Sequence, residues 1–463
     1  MLAWTMWGLG AALYFIGFYQ RVAPAVITVE LSQAFGLSAA ALGNLSAFYF
    51  YSYVAMQIPT GLLADRFGPR VLLTVGAAVA GVGTAVFAAA PDTWTANLGR
   101  LLIGGSVGVA FVSMLKLASH WMPARQFALA SASALVVGVF GAVSAGAPLR
   151  LLVDEFGWRN MMWASAIATM LLGALTWVTV RDDPVARGYK SYADHAQPEV
   201  RGAKTPSTGV FAGLKAAFGN RNVLLLFFIA GAPSAIILTF AGLWGVPFLT
   251  THYGLTPANA AGLCSAMMVA WAIGCLVYGA VSDRIGRRKP LMIGGMAIML
   301  ILWATFVYVP ALTYFWLVTL MLSIGFFSAC FILSFVFAKE SCPVALAGTV
   351  SGIANMGVIQ GPMYMQPLVG IILDRTWGGA AVNGKRVFDL ASYQQGFSLM
   401  LIWGRRRHRA LADDTRNRLQ ANYLAWSDPG ARQAQVSKPA TEPAGQNGRH
   451  RHRQPFRRMR YSR

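Results

Sequence analysis

Apolar runs of membrane length follow one another along most of the chain, separated by short charged turns. No Asp, Glu, Lys or Arg occurs for 61 residues from Asn222 to Ser282, nor for 49 residues from Pro290 to Ala338. About 20 apolar residues cross a hydrocarbon core of about 30 Å, so each of these runs holds two helices. The charge-free stretches predict spans near 4–29, 38–59, 71–91, 96–119, 127–149 and 160–180. After a hydrophilic segment at 181–221, further spans fall near 222–247, 259–281, 290–310, 313–337 and 345–373. The pattern is that of an all-α polytopic membrane protein. One half covers 1–180, a cytoplasmic linker 181–221 and a second half 222–403.

A twelfth span should begin at Leu390, but its apolar part ends at Gly404, where the sequence turns to RRRHRALADD. Eleven or twelve strongly apolar residues do not cross a bilayer, so the twelfth helix reads as truncated. The tail at 404–463 carries 15 Lys/Arg against 4 Asp/Glu and shows no amphipathic pattern. It reads as a disordered segment produced by a shifted frame or altered terminus, or else as a basic tail for anionic lipid.

One ten-residue phrase occurs twice: GLLADRFGPR at 61–70 and GAVSDRIGRR at 279–288. Gly61/Gly279, Asp65/Asp283, Arg66/Arg284, Gly68/Gly286 and Arg70/Arg288 are identical. A charged turn repeated at half-chain spacing between apolar helices indicates two related halves. With the amino terminus inside, 15 basic residues before position 340 face the cytoplasm and five later or intervening ones face outward. The positive-inside rule favours this orientation. Net charge is +21 over 463 residues, with 56% hydrophobic and 12% charged residues. Because the basic residues sit in short loops and in the tail, the charge serves topology, and no nucleic-acid partner is expected. Cys264, Cys275, Cys330 and Cys342 lie in or beside apolar runs without metal-type spacing, and read as packing residues. No catalytic constellation, phosphate loop, metal site or cofactor motif is visible, which argues against an enzyme.

The doubled loop, the two six-span halves and the central linker resemble the major facilitator superfamily. Gly61, Leu63, Asp65, Arg66, Gly68 and Arg70 match its loop signature, with Pro69 in place of the usual basic residue. The resemblance implies a transporter with two pseudo-symmetric halves and a central site, acting as a monomer in the inner membrane. It also implies gating roles for Gly61, Asp65, Arg66, Gly68, Arg70, Gly279, Asp283, Arg284, Gly286 and Arg288. Gly61 and Gly279 would let helices approach, while Asp65 and Asp283 would meet positive partners across the halves when the cytoplasmic side closes. Arg100 in LGRLLIGG resembles the family's span-four motif, with Ile103 replacing its Gln; Arg100 and Lys116 are the intramembrane charges of this region. Span five keeps Gly141 and Gly146 of the antiporter motif, but Ala142 and Ala145 replace its Pro and a Gly.

Arg21 is the sharpest chemical feature, an arginine inside the first span with apolar residues continuing beyond it. A guanidinium in a low-dielectric cavity calls for an anion, and its fork fits a carboxylate bidentately. The alternative is a structural Arg21 paired with Glu30 or a backbone carbonyl. Organic-anion members of the superfamily carry an arginine in a similar setting. The phrases around Arg21 and the first loop also resemble bacterial carriers related to the phagosomal amino-acid and lysosomal dipeptide transporters. Tyr14, Gln20 and Tyr49, with Tyr19 and Tyr51, are candidate solute contacts in the first half, as are Asn355 and Gln360 in the second. No acidic residue lies deep inside a span, so uniport or exchange stands beside proton symport. The sequence therefore implies a secondary carrier for a small carboxylate-bearing solute. A drug or sugar efflux carrier, or a non-transporting product of a damaged gene, remain the alternatives.

Overall fold

Hydrocarbon offers no hydrogen-bond partner to a backbone, so long apolar runs have only the helix available. The computed structural model describes residues 2–192, 221–286, 288–340, 347–382 and 385–413. Most of the expected linker, and the tail from residue 414, lie outside the described residues. The first half contains α1 (Leu2–Val22), α2 (Thr28–Phe35), α3 (Ala39–Ala89), α4 (Thr93–Val107), α5 (Val109–Trp121), α6 (Ala124–Ser144), α7 (Ala147–Phe156) and α8 (Trp158–Thr179). The second half contains α9 (Arg221–Thr239), α10 (Gly245–Tyr253), α11 (Pro257–Ile285), α12 (Arg288–Tyr308), α13 (Tyr314–Ser328), α14 (Leu333–Glu340), α15 (Ala347–Arg375) and α16 (Leu390–Asp413).

Ten segments among the described residues are long and apolar enough to cross a membrane. One of them, α3, has 51 residues and a non-helical Gly68 at φ 78°, ψ 159°. It is two spans joined at the repeated charged loop. In the second loop Gly286 has φ 66°. A side chain strains this left-handed backbone, which explains why both copies of the phrase keep glycine there. Spans one and five pack together (α1 with α6), as do spans seven and eleven (α9 with α15). Spans two and four (α3, α4) are matched in the same way by eight and ten (α11, α13). The repeated phrase thus marks a repeated packing scheme.

The twelfth helix is not among these ten segments, in keeping with a truncated span, although its helix runs farther than its apolar part. α16 continues through the arginine run to Asp413, because Arg, Ala and Leu are good helix formers whether or not they suit lipid. Phe397, Met400, Leu401 and Leu411 are buried, and Trp303 Nε1 donates to the Phe397 carbonyl at 3.3 Å. Its apolar part remains short, as its sequence indicates: 15 residues from Leu390 to Gly404 rise about 22 Å. Arg407 lies 4.7 Å from the Phe228 ring centroid, while Arg405, Arg406 and Arg409 are exposed.

Much of the joining of the halves is made at the end opposite the repeated loops. The 3-10 turn Ala23–Val26 after α1 meets the π-helical turn Phe240–Trp244 between α9 and α10, and α11 meets α6 and α7. Beside them α3 and α15 run antiparallel. Gly43 sits where a Cβ would come within 2.9 Å of Pro367 Cα, and Gly370 where it would come within 2.9 Å of Ala40 Cα. Absent side chains at these two positions bring the backbones together. The contact ends in a polar clasp. Asp374 accepts from the backbone N–H groups of Ala39 (3.0 Å) and Ala40 (2.8 Å), the first turn of α3. Arg386 holds the same carboxylate at 2.9 Å. A carboxylate from one half therefore caps a helix of the other, meeting both its orphan donors and its positive dipole end.

Asp374→Ala should loosen this closure. A lost cap is worth roughly 0.5–2 kcal/mol, or about two- to thirtyfold in a conformational population. Spin labels at Gln33→Cys and Ala380→Cys should report an enlarged long-distance population in the variant. An unchanged distance distribution contradicts the clasp.

Candidate functional site

The interior of the first half is organised around two arginines and one tyrosine. Residues 14, 18 and 21 fall on one face of α1, and 49 and 53 on one face of α3. These faces meet at Arg21, which is 4% exposed. Its guanidinium carbon lies 4.3 Å from the Phe18 ring centroid, 5.0 Å from Tyr53 and 5.6 Å from Tyr49. Its Nε has no hydrogen-bond partner. Among the described residues no carboxylate pairs with it. Glu30, the partner that a structural role would supply, instead accepts from Arg150 Nη1 at 2.7 Å, and Arg150 also binds Asp154.

Arg100 is placed differently. It is 1% exposed, so it is buried in the half and does not reach a membrane surface. Nη1 donates to the Gln20 carbonyl at 2.6 Å and Nη2 to the Ser46 carbonyl at 3.4 Å. It thereby ties α4 to the last turn of α1, one residue before Arg21, and to α3. Its guanidinium carbon lies 5.1 Å from the Tyr49 centroid. Tyr49 is approached by both cations, and its hydroxyl donates to the Gly17 carbonyl at 2.8 Å. Arg100 thus has carbonyl partners and braces the site from behind.

The expected solute contacts separate into two groups. Tyr14 is partly buried, packs edge-on to Phe18 at 5.0 Å and meets Phe111 at 5.5 Å. Asn355 donates to Gln57 Oε1 at 2.8 Å, a polar contact between the halves. Gln20 and Gln360 are spent on packing instead. Gln20 Nε2 donates to Ser165 Oγ (2.9 Å) and Thr84 Oγ1 (3.2 Å), and Gln360 Nε2 to the Phe227 carbonyl (2.6 Å). Both are buried. Phe18, Tyr53 and Gln57 were not singled out from the sequence. The first two could be found from their spacing to Arg21 and Tyr49; Gln57 depends on a pairing of halves that no local pattern encodes.

At the loop end each repeated aspartate engages its own half. Asp65 pairs with Lys116 at 2.8 Å, and Lys116 also donates to the Ala64 carbonyl at 2.8 Å. Lys116 is therefore the partner of Asp65. Asp283 pairs with Arg288 at 3.0 Å within its own loop. Arg66 and Arg284 are exposed. Arg70 is stitched to the end of α8 and the segment beyond: its N–H donates to Asp182 at 2.6 Å, and its side chain donates to the Trp177 carbonyl at 2.8 and 3.0 Å. Gly61 and Gly279 have nothing within 4 Å of a built Cβ among the described residues. The close approach expected of them is absent in this conformation, in which the halves meet at the other end.

This arrangement has counterparts. The profile of the Major Facilitator Superfamily matches residues 7–360. A putative tartrate transporter of Agrobacterium vitis is 26% identical over 389 residues, covering 79% of this chain and 82% of its own. The 3-(3-hydroxy-phenyl)propionate transporter of Escherichia coli (strain K12) is 22% identical over 370 residues, covering 78% and 87%. In fold, the chain is similar to a bacterial homologue of the human lysosomal transporter Spinster in an inward-facing, unoccupied conformation. That likeness has TM-score 0.72 and 16% identity, over 91% of this chain and 98% of the other. The fold, the doubled loop and the profile match together establish that the chain belongs to the major facilitator superfamily.

Proposed function

We propose that this secondary carrier moves a small carboxylate-bearing solute across the inner membrane by alternating access, with Arg21 as the anion site. One observation carries the reading: Arg21 is buried among aromatic rings, its Nε is unpartnered, and the nearest candidate carboxylate is engaged elsewhere. A buried charge without a counter-charge is costly, and an incoming carboxylate supplies the missing partner. Tyr14, Tyr49 and Asn355 stand with Arg21 as the site's polar groups. Both relatives, a putative carrier of tartrate and a carrier of 3-(3-hydroxy-phenyl)propionate, are named for carboxylates. Much of the contact between the halves lies at the end away from the charged loops. With the loops cytoplasmic, that is the outer end.

The same charge shapes the cycle. When the carrier is loaded, solute and guanidinium neutralise each other and the cavity closes around a pair. When it is empty, closure must enclose a lone cation, so the empty carrier reorients slowly. Exchange of external for internal solute is expected to be faster than net efflux in proteoliposomes. Equal rates contradict an unneutralised site.

Binding tests Arg21 directly. A charged hydrogen bond of this kind is worth roughly 1.5–3 kcal/mol. Arg21→Lys, which keeps the charge and loses the fork, should weaken binding by about ten- to a hundredfold. Wild type should prefer an acid to its uncharged amide, and Arg21→Gln should lose that preference while still inserting and folding. Undiminished discrimination in the variant places the anion site elsewhere.

A further inference from the structure

We infer that the Arg21 site selects monocarboxylates with an aromatic body over dicarboxylates, an inference that rests on the anion-site reading above. Two independent features lead to it. The first is a continuous file of rings ending on the cation. Phe111, 38% exposed on α5, meets Tyr14 at 5.5 Å; Tyr14 meets Phe18 at 5.0 Å; Phe18 lies 4.3 Å from the guanidinium carbon. Tyr53 continues on the other side at 5.0 Å and stacks on Tyr49 at 5.9 Å with an interplanar angle of 15°. Phe18, Tyr49 and Tyr53 are buried, and the accessible members of the file, Tyr14 and Phe111, offer an aromatic guest edge-to-face or offset contacts. The acid head reaches Arg21 while the body lies along Tyr14 and Phe111.

The second feature is the count of cations left for a second acid group. The spans of the second half carry no charged residue from 222 to 282, from 290 to 338 or from 347 to 373. Those runs therefore offer neutral polar groups only, Asn355 among them, and Arg407 of α16 lies against the Phe228 ring instead. In the first half, Lys116 is paired with Asp65, and Arg150 with Glu30 and Asp154. Arg159 donates to the Ala88 and Ala90 carbonyls. Arg100 adds positive potential, but its Nη groups are on the Gln20 and Ser46 carbonyls. One carboxylate is therefore met by a guanidinium fork. A second would leave water for neutral neighbours, and added positive potential does not replace the hydrogen bonds lost.

Binding to the purified full-length carrier decides this with four probes of similar size. They are 3-phenylpropionate, its amide, 3-cyclohexylpropionate and 3-(4-carboxyphenyl)propionate. The monoacid should bind at least about tenfold tighter than the diacid, since the diacid must desolvate an unpaired charge. It should also bind about two- to tenfold tighter than the saturated-ring acid, the worth of an aromatic pair. Tyr14→Leu and Phe111→Leu should each narrow the aromatic preference without changing the preference for acid over amide. A diacid bound as tightly as the monoacid overturns the inference, as does a saturated ring bound equally well. Failure to bind any aromatic monoacid at millimolar concentration overturns it too. Loss of the acid-over-amide preference in wild type is a different failure: it removes the anion-site reading itself. The ligand comparisons use wild-type protein, so they decide the matter even if a variant fails to fold.

Discussion

A positive charge enclosed in a membrane protein must be balanced, solvated by dipoles or carried to a surface, and each arginine in the first half takes one of these routes. Arg150 is balanced by Glu30 and Asp154 at the end where the halves join. Arg100 is solvated by two backbone carbonyls that also lock α1, α3 and α4 together. Arg66 is carried to the surface at the charged loop. Arg21 takes the second route only weakly, with the Tyr49 hydroxyl and three ring faces around it. Cation–π contacts are worth about 0.5–2 kcal/mol, well below the cost of burying a lone ion. On the proposed reading, an entering anion completes the site.

The surrounding fold supports that reading. If Glu30 reached Arg21, the site would be neutral and inert, so the triad with Arg150 keeps the acid occupied. Arg100 fixes the Gln20 carbonyl, and with it the last turn of α1 from which Arg21 projects. Farther out, Asp374 and the close approach at Gly43 and Gly370 hold the halves at one end, while the repeated loops keep their charges within their own halves at the other.

What could be read from the sequence followed the range of the forces involved. Spans, halves and loops depend on local apolarity and on a repeated phrase, and the helices fall where those patterns place them. Arg21 stood out as a candidate because a charge within an apolar run must be compensated. The choice between cavity and packing was not legible for glutamines. Gln20 sits beside Arg21 in sequence yet faces α3 and α8 across the helix, and a polar stripe does not say which neighbour arrives. Asp374 and Gly43 escaped notice for a related reason, since their roles exist only once the two halves are brought together. The twelfth helix shows the converse limit. Apolarity marks what suits lipid, whereas helix continuation needs only residues that propagate a helix, and α16 runs on through its arginines.

The central claim is that an anion completes Arg21. A structure of the carrier with bound 3-phenylpropionate tests it most directly. The account predicts both carboxylate oxygens within about 3 Å of the Arg21 guanidinium nitrogens, with Glu30 still on Arg150. A ligand carboxylate seated on another residue, or an Arg21 that has turned to pair with a protein carboxylate, would contradict it.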